Sequence, residues 1–275
     1  MKNSISIFCL VLLLASLAAC QSTSPSAESN VEVNWVELRT GNGETIKALF
    51  AKPPGAGKHP AVIYNHGTGP RQFGYDGAAA QGYDTKDYVR AIVDAGFVAL
   101  APMREFNADS ARRDRGQSVG SEKDWNGVVE GGIRTVLAAR AWLAHHAAVE
   151  PKKIGVIGFS EGGNVTLWTL LKNQDFAAAV LMSPATLGGT QKYGLRQGGR
   201  DSRIGKLKMP LFLTVGADNY RQIKRVTSRV LSRRLGRASR DFQYRADYPG
   251  DHNWFHRVRP AHWRDVRQFL QRHLK

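Results

Sequence analysis

A chain of 275 residues with 42% hydrophobic content can bury one large core, and a charged fraction of 23% without repeats or low-complexity tracts excludes a disordered chain or a solenoid. The only cysteines, Cys9 and Cys20, lie in the first twenty residues, so the body holds no disulfide, no thiol redox pair and no thiolate metal site. The net charge of +16 is the compositional outlier and favours anionic surroundings.

Residues 1–19 carry Lys2 and then an apolar stretch over 5–17, too short for a permanent membrane span, and read as an export signal. The end of that stretch, Leu17-Ala18-Ala19-Cys20, resembles the bacterial lipobox, which implies cleavage before Cys20 and lipidation of its thiol. Several acyl chains on one residue satisfy the two-signal requirement for stable anchoring, so the chain is expected on a membrane surface of the cell envelope, at its periplasmic face. Gln21 resembles the residue type associated with outer-membrane retention. Residues 20–30, rich in Ser and without aromatics, read as a tether, which leaves 31–275 as one folded domain.

Within that domain, alternating segments over 33–39 and 45–50 joined by Gly41-Asn42-Gly43 predict an antiparallel hairpin. The run 61–64 is apolar on both faces, as a central strand of a covered sheet should be, and it leads into Asn65-His66-Gly67-Thr68-Gly69-Pro70. Core-spaced Tyr88, Val89, Ile92 and Ala95 predict a helix over 85–95 capped by Gly96, followed by a buried strand over 97–101. Residues 103–123, with Arg104, Glu105 and the run 112–116, read as a long polar loop at a carboxyl strand end. Ligands bind there in open α/β sheets. An amphipathic helix follows over 125–146.

The stretch 153–171 organises the rest. An apolar run, Ile154 to Gly158, meets Phe159-Ser160-Glu161-Gly162-Gly163 and then a helix-compatible segment, which reads as strand, sharp turn and helix with one hydroxyl at the apex. Gly158 and Gly162 suit a turn so tight that neighbouring backbones touch on both sides of a strained serine. Ser160 is therefore the candidate nucleophile. Further strands are expected at 177–182, 211–218 and 242–245, and a helix at 221–237. The terminal helix has Trp263, Val266, Phe269 and Leu270 on its core face.

With its strand-turn-helix context, Gly-Phe-Ser-Glu-Gly-Gly resembles the α/β-hydrolase superfamily, most closely its dienelactone-hydrolase and prolyl-oligopeptidase-related branches, over roughly residues 35–274. The resemblance implies an α/β-hydrolase fold: a mostly parallel central sheet opened by an antiparallel hairpin, with helices on both faces. It also implies that the His-Gly-x loop after the third strand supplies a backbone N–H to an oxyanion hole. By position that donor is Thr68, partnered by the N–H of Glu161. His66 itself is expected to be packed and hydrogen-bonded rather than to serve as the base. The segment 185–208, Gly-rich and basic, occupies the position where the superfamily commonly places a cap, and is expected to face substrate.

The same resemblance requires the order Ser, acid, His. Asp218 ends the strand at 211–218 and takes the place of the acid, with Asp247 and Asp251 as alternatives. Of the histidines after Asp218, His252 lies in a loop beyond a strand, in Tyr248-Pro249-Gly250-Asp251-His252-Asn253, and is the expected base. His256 is second, while His262 and His273 belong to the terminal helix. The implied chemistry is hydrolysis of a small-molecule carboxylic ester through an acyl-enzyme, without cofactor or metal. Peptidase or amidase activity, or a non-catalytic envelope lipoprotein, are the alternatives.

From Lys192 onward basic residues far outnumber acidic ones. This basic face either remains solvated or meets anionic lipid headgroups and lipopolysaccharide phosphates. Nucleic acid is not an expected partner, because export removes the chain from cytoplasmic DNA and RNA.

Overall fold

The computed structural model describes residues 31–104, 121–239 and 241–275. The export signal, Cys20, the tether and most of the polar loop at 103–123 lie outside the described residues.

Among the described residues eight strands form one sheet: β1 (Asn34–Arg39), β2 (Thr45–Ala51), β3 (His59–Asn65), β4 (Val98–Pro102), β5 (Val149–Phe159), β6 (Ala178–Met182), β7 (Leu211–Gly216) and β8 (Phe242–Tyr248). Their order is β1-β2-β4-β3-β5-β6-β7-β8. The opening hairpin forms as expected, with Arg39 opposite Thr45, and β2 is antiparallel to β4 as well. From β4 to β8 every neighbouring pair is parallel. This is the expected α/β-hydrolase architecture.

The α-helices among the described residues are α1 (Thr68–Ala79), α2 (Thr85–Asp94), α3 (Glu122–His145), α4 (Glu161–Lys172), α5 (Leu195–Arg200), α6 (Arg221–Val226), α7 (Ser232–Ala238) and α8 (Pro260–Leu274). Alternation along the central strands divides the core in two. Ala61, Ile63, Val156, Leu181 and Leu213 join one cluster with residues of α3, α4 and α7. Their neighbours Val62, Tyr64, Ile157, Val180 and Phe212 join a second with residues of α2 and α8. Both faces of the sheet are therefore covered, which is why its strands read as continuous apolar runs.

Three local expectations are revised. The helix expected from residue 125 begins a turn earlier, because Ser121 and Asp124 form a reciprocal capping box: the Asp124 N–H donates to Ser121 Oγ at 3.2 Å, and the Ser121 N–H to Asp124 Oδ2 at 3.1 Å. The single helix expected over 221–237 is α6 and α7 joined by a π-helical turn at Thr227–Leu231. The segment 185–208 folds into α5 and a short 3₁₀ turn, and buries Leu187, Leu195, Ile204 and Leu207 in the core shared with α4. Apolar side chains spaced through a Gly-rich stretch dock it on the domain.

Candidate active site

Ser160 sits between β5 and α4 with φ 54° and ψ −119°, a conformation that costs a non-glycine residue about 1–3 kcal/mol. The surroundings enforce it. A Cβ at Gly158 would lie 2.6 Å from the Gly162 carbonyl oxygen, and one at Gly162 would collide with the carbonyls of Asn65 and His66. Only residues without a side chain let β5, α4 and the loop after β3 close around the serine. The Ser160 N–H donates to the Met182 carbonyl at 3.0 Å, and its carbonyl accepts from Ala185 at 2.8 Å, which anchors the turn to β6 and the segment after it.

His252 reaches this turn from the loop after β8. Its ring lies between Phe159 and Tyr220, with centroids 5.3 and 5.2 Å away, and its Nε2 is 2.7 Å from Ser160 Oγ. Burial lowers the His252 pKa to about 4 against the opposing charge of Asp251. The imidazole is therefore neutral at neutral pH and available to accept a proton.

Asp218 follows β7 and its carboxylate is exposed. Its backbone is tied to the loop that carries His252, since the Asp218 N–H donates to the Gly250 carbonyl at 3.0 Å and the Ala217 N–H to the Tyr248 carbonyl at 2.8 Å. The carboxylate makes no hydrogen bond to His252, whose buried Nδ1 is without a partner among the described residues. The structure thus joins two of the three expected side chains and leaves the third unjoined, linked through its backbone to the loop that carries His252. Neither alternative acid fills the gap: Asp247 pairs with Arg245 at 2.7 Å, and Asp251 Oδ1 accepts the Trp254 N–H at 3.0 Å. His256 stacks on Tyr83 at 3.7 Å, His262 is buried near Thr214, and His273 lies 3.2 Å from Asp241.

The other expected elements adjoin the serine. Thr68 and Glu161 are the first residues of α1 and α4, where backbone N–H groups have no intrahelical acceptor. Their side chains meet, with Thr68 Oγ1 donating to Glu161 Oε2 at 3.1 Å. A Cβ at Gly67 would be 3.4 Å from Ser160 Cβ, so the loop before Thr68 passes beside the nucleophile.

One charged cluster was not anticipated. Glu161 is fully buried and held by Arg71, at 2.7 and 2.9 Å, and by Arg104 at 2.5 Å. Burial alone would raise the Glu161 pKa, yet the two guanidinium groups outweigh it and bring it down to about 2. Arg104, read above as part of a long polar loop, is 2% exposed. Its guanidinium also donates to Asn65 Oδ1 at 2.8 Å, to the Gly67 carbonyl at 2.9 Å and to the His66 carbonyl.

Residues 46–243 match the dienelactone hydrolase family. The chain belongs to that family. A curated Bradyrhizobium protein named "probable 2-oxo-3-(5-oxofuran-2-ylidene)propanoate lactonase" is 31% identical over 148 residues, which cover 51% of this chain and 52% of that protein. The chain thus matches about half the length of this curated relative. Among solved structures, esterase Pf2001 of Pyrococcus furiosus superposes with a TM-score of 0.62 at 19% identity, covering 89% of this chain and 94% of the esterase. Acylaminoacyl peptidase of Pyrococcus horikoshii gives 0.65 at 18% identity over 89% of this chain but only 42% of the peptidase. At these identities the two structures share the fold with this family member.

Sequence reasoning could have found the buried cluster from one signal. A glutamate next to a buried serine at a helix start must itself be buried, and a buried carboxylate calls for cations. Arg71, just after the Gly69-Pro70 pair, and Arg104, two residues past a buried strand, were the cations within reach.

Proposed function

We propose that this family member is a serine hydrolase of carboxylic esters, lactones among them, acting through an acyl-enzyme on Ser160. The reading is carried by the 2.7 Å contact between Ser160 Oγ and a neutral His252 Nε2 at a strained strand-to-helix turn. His252 takes the hydroxyl proton as Ser160 attacks the carbonyl, then returns it to the departing alcohol. Water repeats the sequence against the acyl-enzyme and frees the acid. In a lactone the alcohol stays tethered to the acyl group, so one ring-opened product leaves. The N–H groups of Thr68 and Glu161 receive the developing oxyanion. Asp218 supplies the acceptor that His252 Nδ1 lacks, and its backbone link to Gly250 keeps it beside the histidine loop.

The test is a fluorophosphonate probe on the purified protein. Stoichiometric labelling of the wild type and none of Ser160→Ala is the expected result; an unlabelled wild type, or labelling that survives in Ser160→Ala, overturns the reading. Parallel assays with an ester and the matching anilide separate esterase from amidase action, and faster ester turnover is expected. The proposal extends to lipid anchoring at Cys20. Metabolically supplied palmitate should label the full chain in a bacterial envelope fraction and fail to label Cys20→Ser.

A further inference from the structure

The loop between β3 and α1 is held by more bonds than a strand-to-helix connection requires, and they converge on one peptide group. The carbonyl of Gly67 accepts from Arg104 Nη2 at 2.9 Å and from His66 Nδ1 at 2.8 Å, which occupies both of its lone pairs. That carbonyl belongs to the same planar unit as the N–H of Thr68, and in a trans peptide the two point in opposite directions. Fixing the carbonyl against the buried guanidinium therefore fixes the N–H on the other side. It also polarises the peptide, since hydrogen bonds accepted at one end strengthen donation at the other, by about 10–30% per bond.

Four further contacts remove the remaining freedom. Arg104 also binds the carbonyl of His66, one peptide earlier. The Arg104 backbone N–H donates to His66 Nε2 at 3.2 Å. A carbonyl can only accept and a backbone N–H can only donate, so these contacts assign His66 as the neutral tautomer with its proton on Nδ1. Finally, Glu161 binds Arg104 on one oxygen and Thr68 Oγ1 on the other, which ties the serine turn and the loop to one carboxylate.

Resting on the reading of Ser160 as nucleophile and Thr68 as an oxyanion donor, we propose that Arg104 and His66 are positioning residues for acyl transfer, which together lock and polarise the Gly67–Thr68 peptide. Neither touches the reacting atoms. Their contribution appears only as negative charge develops on the carbonyl oxygen, so their loss lowers kcat and leaves KM nearly unchanged.

The experiment uses the purified protein with Arg104→Lys and with His66→Phe, which keeps a ring but removes both hydrogen bonds. Active sites are first counted by fluorophosphonate labelling carried to completion, and kcat is expressed per labelled site. Removing an oxyanion donor outright costs about 10²- to 10³-fold, so loosening one is expected to cost about 10- to 100-fold in kcat with KM within about twofold. The double variant should be no worse than about the more damaged single variant, because both act on one peptide. Unchanged kcat per site, with fewer sites, means a structural role only and overturns the proposal, as does a rise in KM at constant kcat. Should both variants fail to fold, the wild type still decides through long-range ¹H–¹⁵N spectra of its histidines. At pH 7 a protonated Nδ1 and a bare Nε2 on His66 support the proposal, and the opposite tautomer or an imidazolium overturns it. A wild type that the probe does not label brings down the nucleophile reading and this inference with it, whereas a labelled wild type with undisturbed Arg104 and His66 variants brings down this inference alone.

Discussion

The two flanks of Ser160 are built to different standards. On the side of α1 and α4, Glu161, Arg71, Arg104, Asn65 and Thr68 form a buried network whose bonds hold the loop after β3 against the serine turn. On the side of β7 and β8, His252 is held by aromatic contact with Phe159 and Tyr220 and by its bond to Ser160, while its Nδ1 is unpaired among the described residues and Asp218 faces solvent. The first flank is rigid: its buried carboxylate is neutralised by two guanidinium groups, and the loop that carries Thr68 is held in place, as the proposed stabilisation of a developing oxyanion requires. The second retains freedom around His252, the group proposed to accept and return a proton. Electrostatic stabilisation is most effective when nothing has to move, whereas proton transfer needs a base whose partner stabilises its charged form only when that form exists.

The comparison breaks most sharply at His252. Replacing it with Gln should lower kcat by about 10⁴- to 10⁶-fold, since the serine loses its base, and a steady-state assay at neutral pH measures this. Stability should change little, because the side chain has one hydrogen bond and its other nitrogen has none to lose. Glu161→Gln should show the reverse emphasis. Two guanidinium groups would remain buried without their counter-charge, a change worth about 3–5 kcal/mol of stability by urea denaturation. Activity per folded molecule should fall far less than for the histidine variant. If Glu161→Gln proves neutral in stability, the network is not the rigid member of the pair and the contrast fails.

The same contrast separates what the letters reveal from what they hide. Central strands were legible because β3 to β7 are covered on both faces and so read as apolar runs ending at Asn65, Phe159, Met182 and Gly216. Ser160 and His252 were legible because a strained turn demands glycines and because chain order leaves few histidines. Helix α1 was not, since Gly69, Pro70, Gly74 and Gly77 hide any helical period, and its chain kinks at Gly74. The break between α6 and α7 was hidden too: Thr227 turns its hydroxyl back onto the carbonyls of Ile223 and Lys224, which spacing of apolar residues does not report. Arg104 was misread because a cation beside other charges resembles surface until tertiary structure supplies a buried carboxylate. The direction in which Asp218 turns its carboxylate, here to solvent, is encoded in no pattern of residue types.

The pH profile examines the looser flank directly, with the smallest expected effect. With Nδ1 unpaired, burial holds the His252 pKa at about 4, and kcat/KM should then stay level at neutral pH and fall as acid protonates the base through that value. A carboxylate moved onto Nδ1 stabilises the imidazolium and raises the pKa. If Asp218 serves as proposed, the acid limb of the wild type should therefore lie near or above the ordinary histidine value of about 6.5, and Asp218→Ala should move it downward by about two pH units. Stability of that variant should stay within about 0.5 kcal/mol of the wild type, because an exposed side chain without a hydrogen bond is removed. A limb near 4 in both proteins would mean that the imidazole works without the carboxylate. The reacting pair would then be Ser160 and His252 alone, with the charge on the histidine balanced chiefly by the oxyanion that Thr68 and Glu161 are proposed to hold.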